Sequence, residues 1–159
     1  MDVNALLPAT RTPADYLRVV DDPRLDADGL GELARSPYSF VRLAVARQPR
    51  AGARQLSSLL DGAYTDWEFN ALLVLLADHP RADRQILLAV LERVTTLLHH
   101  PGKRPYAAAL ALAGRAELRP EEIRGLGQLP GASRRMRRGL RAVLAARTPV
   151  TPRRGELTG

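Results

Sequence analysis

Apolar positions along this chain recur at helical spacing in short runs, and a proline or glycine closes nearly every run. Leu30, Leu33 and Ala34 make one such stripe, ended by Pro37; Val41, Ala44 and Val45 make the next, ended by Pro49. The spacing predicts a helix over 14–20 that stops before Asp21-Asp22-Pro23, and a second capped by Asp26 or Asp28. Ser39 is expected to cap a third, Phe40 to Arg47, and a fourth covers about Ala53 to Leu60. Thr65-Asp66-Trp67-Glu68 has the form of a capping box and opens a helix that reaches about Asp78 before Pro80. Asp83 to Leu98 is the longest periodic segment, closed by His99-His100-Pro101-Gly102. Pro105 suits the first turn of Tyr106 to Ala116, Pro120 that of Glu121 to Leu126, and Ser133 caps a last helix, Arg134 to Arg147.

About nine helices result, with no strand pattern, so the expected fold class is all-α. Helices this short do not hold themselves together in water, because too few further hydrogen bonds repay the nucleating turn. Side-by-side packing has to stabilise them. A recurrence shows how: Pro23-Arg24-Leu25, Pro49-Arg50-Ala51 and Pro80-Arg81-Ala82 each lead into apolar positions, at Leu30 and Leu33, Leu56 and Leu59, and Leu87 and Val90. That spacing fits stacked helical units. The expectation is a short α-solenoid of stacked antiparallel helices forming a single domain over 1–147, with the Pro-Arg turns along one edge and 148–159 as a flexible basic tail.

The segment Leu33 to Pro49, LARSPYSFVRLAVARQP, closely resembles the consensus of variant leucine-rich repeats, which are relatives of HEAT and armadillo arrays. The resemblance implies a right-handed superhelix of short helices, with Val41, Ala44 and Val45 facing inward and Pro37 and Pro49 making the turns. Leu72 to Pro80 aligns with Val41 to Pro49, but Leu73 stands where the first unit has Arg42, which makes that unit more HEAT-like. Ala146 to Pro152 resembles a further proline turn without a following helix, so the array is expected to stop there. Some members of the family bind an iron–sulfur cluster through cysteines, and this chain has none. The family has no common activity, so the resemblance implies a fold and binding through its face.

Composition narrows the chemistry. With no cysteine, disulfides, thiolate metal sites and cysteine nucleophiles are excluded, and a reducing cytoplasm is the expected location. Met1 to Thr10 lacks the basic start and apolar core of a secretory signal. Ala71 to Ala77 and Ile86 to Leu91 are the longest apolar stretches, far short of the roughly 20 residues that cross a bilayer. Residues 1–80 hold 8 arginines against 11 acids, and residues 81–159 hold 16 basic residues against 6 acids. The molecule therefore changes sign along its length.

The densest basic feature is the last helix. Arg134, Arg135, Arg137, Arg138 and Arg141 fall on one broad face, and Met136, Leu140, Val143 and Leu144 on the other. No acid occurs from Arg134 to Gly155. The face reads either as a contact for phosphates or an acidic protein surface, or as a solvated cap on the stack. Trp67 invites comparison with HEAT-like DNA glycosylases, through Asp66 and Glu68 beside it, but the simpler expectation is that it packs against a neighbouring unit. His79, His99 and His100 lack the company of a metal site and are read as helix-end imidazoles. No catalytic set, cofactor motif or metal motif stands out.

Two readings result. The first is a non-catalytic module that binds a protein partner through its superhelical face, with Arg42, Arg47 and Trp67 as candidate contacts. The second is nucleic-acid binding through the basic C-terminal half, with a glycosylase as a remote third. A second copy of the chain is one way to cover an exposed end of the stack, so a homodimer is among the expected partners.

Overall fold

The computed structural model describes residues 1–147, which are all-helical, with no strand among the described residues. The chain begins with a helix that the pattern did not predict, α1 (Val3–Leu6), capped by the Asp2 carboxylate accepting from the Ala5 amide. α2 (Pro13–Asp21) starts on the proline, and Thr12 and Asp15 form a reciprocal capping box. α3 (Ala27–Leu33) takes Asp26 as its cap. α4 (Ser39–Arg47) corrects one expectation: Ser39 is its first residue and not its cap, because its hydroxyl donates to Glu68 instead.

α5 (Ala53–Leu59) follows, then α6 (Asp66–Asp78) with the expected box of Thr65 and Glu68. α7 (Arg84–Leu98) is capped by Asp83. α8 (Tyr106–Ala113) ends at Gly114, short of the predicted Ala116, and α9 (Pro120–Arg124) runs into a 3-10 turn over Gly125–Gln128. α10 (Arg134–Arg147) opens under Ser133, whose hydroxyl accepts from the Met136 amide.

The helices touch in two rows. α2, α4, α6, α8 and α10 pack each against the next, while α1, α3, α5 and α7 do the same in their own series. Leu72, Leu73, Leu76 and Ala77 on α6 are fully buried, and Ala108, Ala109, Leu112 and Ala113 on α8 repeat that pattern. Val41 and Val45 are buried as expected; Ala44 is half-buried.

Four turns leave the first row by the same route. The amides of Asp22 and Leu25 donate to Val19 and Asp22; those of Gln48 and Ala51 to Val45 and Gln48; those of His79 and Ala82 to Leu76 and His79. The amides of Arg115 and Leu118 donate in the same way to Leu112 and Arg115. This fourth turn was not visible in the sequence, because Ala116-Glu117 stands where the other three have Pro-Arg.

Arginines tie each turn to its predecessor. Arg50 donates to the carbonyls of Val20 (3.2 Å), Asp22 (3.0 Å) and Leu25 (3.1 Å). Arg81 donates to Arg50 O at 3.1 Å, and His79 Nε2 to Gln48 O at 2.9 Å. His79 Nδ1 accepts from the Arg81 amide, so this buried ring bridges two turns instead of only closing a helix end as expected. Arg115 reaches Ala77 O (2.8 Å), His79 O (2.9 Å) and Ala82 O (3.0 Å), and Arg147 reaches Ala113 O (2.9 Å) and Leu118 O (2.6 Å).

These acceptors lie at helix C-termini, where intrahelical partners run out, and in the turns that follow them. Replacing Arg115, whose side chain is 16% exposed, with alanine strands three carbonyls. Urea unfolding of Arg115→Ala is expected to show a loss of about 2–4 kcal/mol, with Arg115→Lys recovering only part of it. Arg47→Ala, at an exposed position of α4, is expected to stay within about 0.5 kcal/mol of the parent.

A tighter constraint lies before α10. The Gly131 amide donates to Leu98 O at 2.7 Å, and a Cβ on Gly131 would sit 2.6 Å from that same carbonyl oxygen. Because the obstacle is backbone, Gly131→Ala is expected to destabilise by about 1–3 kcal/mol in the same assay.

Candidate binding surface

Three residues were proposed from the sequence as a partner face, and the structure separates them. Arg42 is 5% exposed and turned inward: its guanidinium donates to Ser36 O at 2.6 Å and to Ala63 O, and stacks over the Tyr64 ring at 4.5 Å. It cannot meet a partner. The cause is the loop between α5 and α6, whose carbonyl it satisfies and whose Gly62 leaves room for it. Arg47 is exposed at the end of α4.

Trp67 is 76% exposed, which corrects the expectation that it packs against a neighbour. It sits in the first turn of α6, where the core-facing positions begin only further along the helix. Beside it, Asp66 pairs with Lys103 at 2.6 Å while remaining 75% exposed.

All five candidate arginines of α10 are exposed. Arg137 donates to Ala132 O at 2.9 Å; Arg134, Arg135, Arg138 and Arg141 have no hydrogen-bond or carboxylate partner among the described residues. The nearest acids that precede them in the chain are already engaged. Glu117 pairs with Arg115, Glu121 with Arg124, and Glu122 with Arg84 and Arg119. Arg153 and Arg154, read as part of the basic tail, lie outside the described residues.

The arginines do not converge on one cleft. Arg137 and Arg141 join Arg124 around a groove of about 390 Å³ floored by Leu140, Leu144 and Gly127. Arg135 joins Arg104 on the other flank, around a groove of about 650 Å³ that includes Tyr106, Ala107, Leu110 and Met136. Arg104 holds a left-handed backbone (φ 47°), an uncommon conformation for a residue with a side chain. Arg134 and Arg138 lie between the two flanks on the exposed arc of the helix. Sequence reasoning missed Arg104 and Arg124, since each comes from a loop or helix distant in the chain from α10.

No family model, no curated protein and no solved structure matches the chain. Among the described residues no helix is long and apolar enough to cross a membrane.

The ion pairs beneath α10 give a pH signature. Glu122 is lowered from 4.5 to about 2, first by hydrogen bonds from Arg84 and then by the Arg119 amide. A depressed carboxylate stabilises the fold fully above its unfolded value and loses that contribution as pH falls toward its folded value. The stability difference between the parent and Glu122→Gln is therefore expected to be largest above pH 4.5 and to shrink steadily toward about pH 2. A difference that stays flat over that window would contradict the assignment.

Proposed function

We propose that the chain is a short α-solenoid of the HEAT and variant leucine-rich repeat kind, a non-catalytic cytoplasmic module that binds a protein partner. The observation that carries this reading is the recurrence of one turn, with one pair of amide bonds, at Asp22, Gln48, His79 and Arg115 between two rows of sequentially packed helices. Such stacking builds extended surfaces rather than enclosed pockets. Trp67 supports the protein-binding part: a large aromatic held open to solvent suits an interface anchor.

A photo-reactive side chain at Trp67 is expected to trap one protein from a native lysate that is not trapped from Arg93, an exposed position on α7 in the other row. Equal labelling from both positions, or none from either, would remove the reading. Nucleic-acid binding through α10 is the second reading, favoured by the four arginines that have no partner among the described residues. Their spread over two flanks and an exposed arc, without an aromatic on α10, supports it less than a single basic groove would.

A further inference from the structure

Among the described residues α10 takes the last place in the first row, and its register can be set against α8. Arg115 follows α8 and Arg147 closes α10, and each donates to two carbonyls of the preceding turn, Ala77 and Ala82 or Ala113 and Leu118. On that alignment Leu140 and Leu144 take the places of Ala108 and Leu112, and all four are buried. The next positions diverge. Ala109 and Ala113 are fully buried in α8, whereas Arg141 and Ala145 are exposed in α10.

Arg138 falls at the place of Tyr106, and there too the contrast holds. Tyr106 donates forward to Gly131 O at 3.0 Å, and Arg138 has no partner among the described residues. α10 thus turns outward the face on which α8 receives its successors, and that face carries guanidinium groups flanking the small residues Ala142 and Ala145.

We propose that this face docks an acidic amphipathic helix of a partner protein, laid along α10 in the place of a following helix. The proposal rests on the protein-binding reading above and specifies one surface of it. Three observations select this occupant. Arg134, Arg138 and Arg141 want carboxylates that the described chain does not provide, and arginine binds carboxylates through paired hydrogen bonds. Beyond them along the same face, Ala142 and Ala145 let another helix approach closely, as Gly139 already does for Leu110, whose Cδ2 would lie 2.8 Å from a Cβ there. At the edges of this face Leu140 and Leu144 line a groove with Arg137 and Arg141, and Leu110 and Met136 line another with Arg135, so apolar side chains border the basic arc on both sides. A basic arc bordered by apolar side chains suits an amphipathic helix better than a phosphate backbone, which offers nothing apolar to meet them.

The test uses the full chain and a fluorescently labelled peptide of about 18 residues, long enough to sustain a helix, with glutamates on one face and leucine and alanine on the other. The peptide is expected to bind, and the Arg134→Glu, Arg138→Glu, Arg141→Glu triple variant to bind it at least about tenfold more weakly with an unchanged circular dichroism spectrum. Absence of binding, undiminished binding by the folded variant, or equal binding of a peptide with lysine in place of glutamate would each overturn the proposal. So would an oligonucleotide that binds at least as tightly, or a parent dimer that the variant fails to form. Should any of these occur while the Trp67 cross-link persists, the protein-binding reading survives and only the assignment to α10 falls.

Discussion

Guanidinium donors gripping backbone carbonyls across consecutive turns are the constraint on which this structure depends. Its helices run from 4 to 15 residues, so a large share of their carbonyls lie in last turns without intrahelical partners. Arg50, Arg115 and Arg147 each supply several donors to one such cluster. An ammonium offers its three donors from a single nitrogen on a flexible stem, whereas the rigid fork spans carbonyls that stand apart. Burial of Leu72, Leu76, Ala109 and Leu112 drives the rows together, and the forks fix the register in which they meet.

Arginine therefore does two kinds of work that composition cannot distinguish. Arg42 and Arg115 are turned into the protein and would leave buried acceptors stranded if removed. Arg134, Arg135, Arg138 and Arg141 are turned out of it. What separates the two groups is the proximity of exposed carbonyls, a property of the folded backbone. The count of basic residues in the second half is consequently an overestimate of the charge offered to a partner, since Arg84, Arg115, Arg119 and Arg124 are committed to Glu122, Glu117 and Glu121.

Local chemistry was legible where it is self-contained. The Thr65–Glu68 box, the Asp26 and Ser133 caps and the apolar stripe of α10 act within one turn or one helix, and each could be read from spacing alone. α1 escaped notice because it has a single turn and one buried residue, Val3. The burial of Arg42 depends on Ala63 and Tyr64, 21 and 22 positions away, which no helical period connects to it. Trp67 misled in the opposite sense: its bulk argued for packing, but in the first turn of α6 it is Phe69 that packs on the core while Trp67 stays open to solvent. Of the candidate surface, the α10 arginines were legible, and their neighbours Arg104 and Arg124 were not.

The fourth turn bears on the choice of the peptide unit as acceptor. Arg147 holds Ala113 and Leu118 through main-chain oxygens, as Arg50 holds Val20 and Leu25. Every amino acid carries that oxygen, so the gripping residue makes no demand on the side chains of the turn it grips. Pro-Arg can give way to Ala-Glu while the joint keeps its geometry. A chain assembled by such joints can drift in sequence at each receiving turn and remain mechanically interchangeable from one unit to the next.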